Sequence, residues 1–338
     1  MGTQTIKKGL ICMTRFSLLG FVVAIFITQI AISSSEVVTK KNNFSPVEAT
    51  NATWVFSGMV TSETGENYGY FFQLQRDKQH FHATAALMDE STKRVLFRED
   101  SEADIDKALA YDWHVGRSFL RFNAINHSWI FGVKPKNNLG FNFKVDMLKQ
   151  FESTPSFHHL RSDVLMVVSK TSELNGHILT GDSRAEQFVT ADDAWFRQIW
   201  MTEEDDKPHD LSSVLCRFND GSAFYSVNLQ EPDAQSGAIA GWYNAEGNRQ
   251  TMSQFIQVSL ANEGTWHIQS QAPRMDLALS DAMQQNSVIA GFVDGNKNSG
   301  FCMLNNSVTL RSVIPSAIQL HAFAKNEAAK SVNRQATT

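Results

Sequence analysis

The sequence predicts an all-β protein built from two similar units. Three observations carry this: period-two alternation of apolar residues from residue 50 onward, glycine-bearing reversal sequences, and a hairpin plan that occurs twice. Alternation marks strands with one buried face. In Leu139, Phe141, Phe143, Val145 and Met147 every second residue is apolar, while Gly140, Asn142, Lys144 and Asp146 take the other face. Tyr68, Tyr70, Phe72 and Leu74 repeat the pattern. ETGEN (63–67), NDGS (219–222) and NAEGN (244–248) each put a glycine where a reversing backbone needs positive φ, which marks hairpins.

The repeat joins GMVTSETGENYGYFFQLQR (58–76) to SVLCRFNDGSAFYSVNLQE (213–231): a strand, an acidic-glycine turn, then an aromatic-rich strand ending in Gln-Leu or Leu-Gln. A tryptophan segment precedes each copy, Trp54 in the first and Trp195 to Trp200 in the second. The units are therefore expected at about residues 50–190 and 191–310, with a tail at 311–338. One large continuous sandwich is the alternative. Two stretches depart from the β pattern: Ser101 to Tyr111 (SEADIDKALAY) has a capping-type start and helical spacing, and the tail from Ala322 is rich in alanine and lysine, so part of it reads as helix.

Residues 1–35 read as a signal peptide or signal anchor. Lys7, Lys8 and Arg15 precede an apolar run from Phe16 to Ile32, which gives way to Ser33, Ser34 and Ser35. The run is nearly long enough to cross a bilayer, so membrane association through residues 16–32 is the alternative to cleavage. The body is expected to be exported, periplasmic or extracellular. Cys12 lies before the run, which argues against lipid attachment. Removing three positive charges with the leader takes the formal charge from -5 to -8. An acidic body has no electrostatic footprint for nucleic acid. Cys216 and Cys302 are too few for a disulfide framework or a four-cysteine zinc site. They read as buried free thiols, with pairing as the other reading. Asn43, Asn51, Asn126 and Asn305 begin Asn-x-Ser/Thr triplets, which matter only in a eukaryotic secretory pathway.

GxSxG, HExxH, P-loop and dinucleotide signatures are absent, and no cofactor or metal is expected. His80 and His82 alternate onto one face but lack a third ligand, and EEDD (203–206) reads as a solvated loop without calcium-loop spacing. Asp112 beside Tyr111 and Trp113 is either a turn acid or a carboxyl whose apolar surroundings raise its pKa. In ADDAWFRQIW (191–200), alternation puts Trp195 and Arg197 on one face and Phe196, Gln198 and Trp200 on the other. An amide among aromatic rings is how an apolar pocket orients a ligand; sheet packing is the competing account.

Taken in order, TWVFSG, the acidic-glycine turn, GYFFQLQR, TAALMDES, DW, FNFKVDML, LNGHILTGD, WFRQIW and the DG hairpin with FYSVNLQ resemble the carotenoid 1,2-hydratase (hydroxyneurosporene synthase) and AttH-like proteins from about residue 52 to 305. The resemblance implies two tandem lipocalin-like β-barrels and a long apolar ligand, and in some members acid-assisted hydration of polyenes. The family segment reading Trp-Met-Asp-His-Glu-Trp maps its tryptophans onto Trp195 and Trp200. Its Asp, His and Glu fall on Arg197, Gln198 and Ile199, and a family histidine falls on Thr84. Protonating a carbon–carbon double bond needs a carboxylic acid or imidazolium in an apolar site, and Arg, Gln and Ile supply neither.

The expected function is accordingly an exported binder of a hydrophobic polyene, terpenoid or lipid-like ligand, lined by Trp54, Asp112, Trp113, Trp195, Arg197, Gln198 and Trp200. The alternatives are a hydratase, isomerase or cyclisation-assisting enzyme on such a substrate, and a non-enzymatic interaction module.

Overall fold

The computed structural model describes residues 49, 51–105, 112–147, 157–161, 163–181, 186–201, 210–230, 237–250, 252, 256–261, 264–285, 287–294 and 298–306. The leader, EEDD and the C-terminal tail fall outside these. Among the described residues there is no α-helix, and everything regular is antiparallel strand.

The first sheet contains β1 (Asn51–Ser62), β2 (Asn67–Asp77), β3 (His80–Asp89), β4 (Val95–Asp104), β5 (Asp112–Val115), β6 (Ser118–Asn123), β7 (Ser128–Lys136), β8 (Leu139–Asp146), β9 (Phe157–His159), β10 (Val164–Lys170), β11 (Leu174–Thr180), β12 (Gln187–Ala191) and β13 (Trp195–Met201). Its path runs β4-β3-β2-β1-β12-β11-β8-β7-β6-β5, and β13, β10 and β9 extend it beside β1. The sheet curls until its two ends meet, with side chains at the seam. Arg117 reaches Glu99 at 2.5 Å, and Ser101 Oγ donates to Glu99 at 2.8 Å. Gly116, at φ 59°, sits so close to Ser101 that a Cβ there would overlap it.

The second sheet contains β14 (Asp210–Phe218), β15 (Ala223–Gln230), β16 (Gly237–Tyr243), β17 (Arg249–Gln250), β18 (Ile256–Leu260), β19 (Trp266–Gln271), β20 (Arg274–Leu279), β21 (Met283–Gln285), β22 (Val288–Asp294) and β23 (Gly300–Asn306). Its order is β17-β16-β15-β14-β23-β22-β20-β19-β18, with β21 on β22. Two curled antiparallel sheets are the architecture that the alternation predicts. The three turn glycines, Gly65, Gly221 and Gly247, all carry positive φ.

Three expectations are corrected. WFRQIW does not open the second unit: β13 pairs with β1 (Trp54 opposite Gln198, Phe56 opposite Phe196) and with β10, so it closes the first sheet. Its counterpart in the second sheet is β23, which lies against β14 as β12 and β13 lie against β1. The helix expected at 101–111 is strand over Ser101–Asp104, because that stretch continues the β4 ladder on β3 and ladder pairing overrides local propensity; residues 106–111 lie outside the described residues. Cys216 and Cys302 are not free thiols. They face each other on β14 and β23 with Cα atoms 4.2 Å apart, in disulfide linkage.

The two sheets pack through their outer faces. Val55, Phe71, Ala86, Met88, Trp195 and Ile199 of the first join Leu215, Tyr225, Val227, Phe292, Phe301 and Met303 of the second in one apolar cluster. Asp193 clamps one edge, 2.7 Å from Lys170 and 2.5 Å from Arg217. Gly69 faces this seam, and a Cβ there would overlap the Phe301 ring. Overpacking a dense seam costs about 1–3 kcal/mol, so Gly69→Val is expected to lower stability by that amount in urea denaturation while leaving each sheet's far-UV circular dichroism in place.

Candidate functional site

The alternation along β1 decides what faces the interior of the first barrel. Trp54, Phe56 and Gly58 turn inward, and register carries Leu74, Phe72 and Tyr70 of β2 and Gln198 and Phe196 of β13 with them. β7 and β8 add Trp129, Phe131, Phe141 and Phe143, and β5 adds Trp113, all fully or almost fully buried.

The middle of this interior is solid. Phe56 stacks on Phe131 across the barrel at 4.2 Å, lies 5.2 Å from Phe196 and 6.1 Å from Trp129, and Phe72 approaches Phe131 at 5.4 Å. The layer at one end differs. Trp54 and Trp113 lie 4.8 Å apart with Phe81 6.0 Å from Trp113, and Gln198, opposite Trp54 on β13, is wholly buried. Neither polar atom of Gln198 has a hydrogen-bond partner; nor does Nε1 of Trp54, Trp113 or Trp129, nor the Tyr70 hydroxyl. Burial, with the Asp193 charge adding to it, pushes the Tyr70 phenol well above its usual pKa, so it remains a protonated donor.

Buried polar groups are almost always satisfied, and each one left bare costs about 1–3 kcal/mol. Three indole N–H groups, a phenol and an amide therefore define an apolar interior with several donors and one acceptor awaiting complements. Among the described strand residues that alternate inward, Glu99 is held by Arg117, Asp89 accepts hydrogen bonds from Ser91 and Thr92 at the turn after β3, and His159, on the register row of Leu165 and Trp200, is exposed.

The residues singled out from sequence divide between two places. Trp54, Trp113, Gln198 and Trp200 share the barrel interior. Trp195 and Arg197 face the opposite way, into the seam: Trp195 Nε1 donates to the Cys216 carbonyl at 2.8 Å and its ring lies 5.7 Å from Tyr225, so it is a packing residue. Asp112 alternates away from Trp113, and its half-exposed carboxylate lies 3.3 Å from His114; it does not enter the aromatic interior. His82 pairs with Asp100 and His80 with Asp104 at 3.0 Å, and among the described residues no three ligands gather for a metal.

Arg197 is the unusual member of the seam. It is 1 % exposed, and burial lowers its pKa to about 10, which leaves it charged at neutral pH. Nη1 donates to Ser213 Oγ, whereas Nε and Nη2 have no partner. Gln73 and Asn305, both buried, bond to each other across the sheets beside it, so the Asn305 triplet offers no exposed amide for a glycan. Thr84 is on the same face: register runs Thr84, Gln73, Val55, Arg197 across β3, β2, β1 and β13. Sequence reading missed Tyr70 and Trp129 as interior donors, although alternation alone assigns Tyr70 to the buried face.

No family model matches the chain, and no curated protein matches it. Solved structures do. A candidate AttH from Nitrosomonas europaea aligns with TM-score 0.54 at 14% identity, over 80% of this chain and 99% of that one. Kievitone hydratase from Nectria haematococca aligns with TM-score 0.52 at 10% identity, over 80% and 95%. The chain shares the fold of these two proteins. At such identities the likeness extends to the arrangement of the two sheets alone.

Proposed function

We propose that the protein binds a largely apolar ligand carrying a hydrogen-bonding oxygen, held at the Trp54–Trp113–Gln198–Trp200 end of the first barrel. The observation that carries this reading is the Gln198 amide, wholly buried among aromatic rings and bare at both polar atoms. A ligand hydroxyl or carbonyl beside it accepts from the amide or the indoles, and a hydroxyl also donates to the amide oxygen, while the rings cover a polyene or terpenoid body. Kievitone hydratase, by its name, hydrates its substrate on this fold. Binding without hydration is the better reading here, because the residues gathered at this end of the barrel, Trp54, Trp113, Gln198 and Trp200, include no carboxyl or imidazole to protonate an alkene. Thr84 and Arg197, where the resembling family carries its histidine and an acid, supply none either.

Export remains part of the proposal. It is supported by the basic-apolar-serine leader and by the Cys216–Cys302 bond, a linkage that persists in oxidising compartments.

The test is tryptophan quenching by all-trans-retinol, a polyene with one hydroxyl. Gln198→Leu is expected to leave stability unchanged or raise it by up to about 1 kcal/mol, since it removes a bare buried amide, and to weaken retinol about tenfold. Saturable binding that Gln198→Leu leaves untouched, or no binding of retinol or other polyene alcohols, overturns the reading.

A further inference from the structure

We infer that the seam between the two sheets holds a second site, built on Arg197 and Ser213, that takes the carboxylate of an apolar acid. A buried guanidinium without a counter-charge is among the costliest arrangements a fold can carry, and such groups are otherwise found paired. Arg197 has no carboxylate partner among the described residues. Its Nη1 is spent on Ser213, which leaves the Nε–Nη2 edge free. That edge offers two parallel N–H groups at the spacing of two carboxylate oxygens, the arrangement that distinguishes arginine from a point charge such as lysine.

The surroundings specify the rest of the ligand. Trp195 and Ile199 flank Arg197 on its own face of β13, Leu211 and Leu215 flank Ser213 on β14, and Val55 and Val168 stand opposite Arg197 on the neighbouring strands. Gln73 and Asn305 are already bonded to each other. The site is thus a single cation in an apolar seam, which fits a fatty-acid-like molecule better than a polyanion or a sugar acid. The register row through Arg197 continues over Val55, Gln73 and Thr84, all buried, to Asp100 at the solvent-facing edge strand β4. Arg197 and Gln198 project from opposite faces of β13, so this site stands independently of the barrel reading.

The test uses the full chain with dodecanoate and 1-dodecanol, compared by calorimetry, and carboxyl-13C dodecanoate followed by NMR. Dodecanoate is expected to bind at least about tenfold tighter than the alcohol, as a charge-assisted two-pronged pair implies. Arg197→Met is expected to abolish that preference and Arg197→Lys to keep part of it. Should Arg197→Met fail to fold, the wild-type carboxyl resonance decides: bound dodecanoate is expected to stay ionised at a pH where the free acid is half protonated. Equal affinity for acid and alcohol, a preference that survives Arg197→Met, or a bound carboxyl that titrates like the free acid overturns the inference.

Discussion

Removing the Cys216–Cys302 bond, with Cys216→Ala and Cys302→Ala together, is expected to lower stability by about 4.6 kcal/mol, the value that loop-closure entropy gives for a sequence separation of 86 residues. The bond joins β14, the first strand of the second barrel, to β23, its last described strand, so it closes nearly the whole unit in the unfolded chain. Both cysteines are fully buried among Val214, Phe218, Phe224, Val293 and Leu304. Alanine suits that environment better than serine, whose bare hydroxyl would add its own cost. Urea denaturation of the double variant against the oxidised protein reads the difference directly. Equal midpoints and slopes for the two would show that the bond contributes no net stability.

The same pair shows where sequence reading stops. Two cysteines 86 residues apart carry no local sign of pairing; they meet only once Cys216 is placed in register with Cys302, and that register depends on the whole ladder. WFRQIW shows a related limit. Its tryptophans parallel the Trp54 that begins the first hairpin, whereas the fold puts it beside Trp54, as the strand that returns to close the sheet. Period-two alternation says which residues share a face but not which strand lies alongside.

What alternation does fix, it fixed correctly for WFRQIW: Gln198 and Phe196 are inside, Trp195 and Arg197 are out. It could not say that the outward face is also buried. That follows from a second sheet covering it, and it puts Arg197, expected among the residues lining a ligand pocket, wholly buried in the seam between the sheets. Asp112 failed in the opposite direction. Its neighbour Trp113 is deep in the barrel, but alternation sends the carboxylate the other way, to His114 and solvent.

Phe56→Ala and Trp54→Ala together separate the solid middle of the first barrel from the layer proposed to hold ligand. Phe56 meets rings from β2, β7 and β13 at 4.2 to 6.4 Å, and truncating such a residue leaves a cavity that its neighbours only partly fill. The expected cost is about 3–5 kcal/mol, the same with and without saturating retinol, because nothing at that layer awaits a partner except through Trp129. Trp54→Ala is expected to cost a similar amount in the apo protein, since its ring packs 4.8 Å from Trp113. In the presence of retinol its deficit should grow, because a ligand that binds only the native state stabilises the wild type by RT ln(1 + [L]/Kd), and that increment shrinks as the site is lost. At a concentration one hundred times Kd the increment is about 2.7 kcal/mol for the wild type, large enough to resolve by denaturation. The decisive quantity is therefore the change in each variant's deficit on adding ligand, which cancels the packing cost common to both conditions. A deficit for Trp54→Ala that stays constant, while wild type is stabilised by retinol, would make Trp54 a core residue and move the ligand elsewhere in the molecule. A deficit that grows for Phe56→Ala as well would show that the two layers form one site, with the Phe56–Phe131 stack opening to admit the ligand.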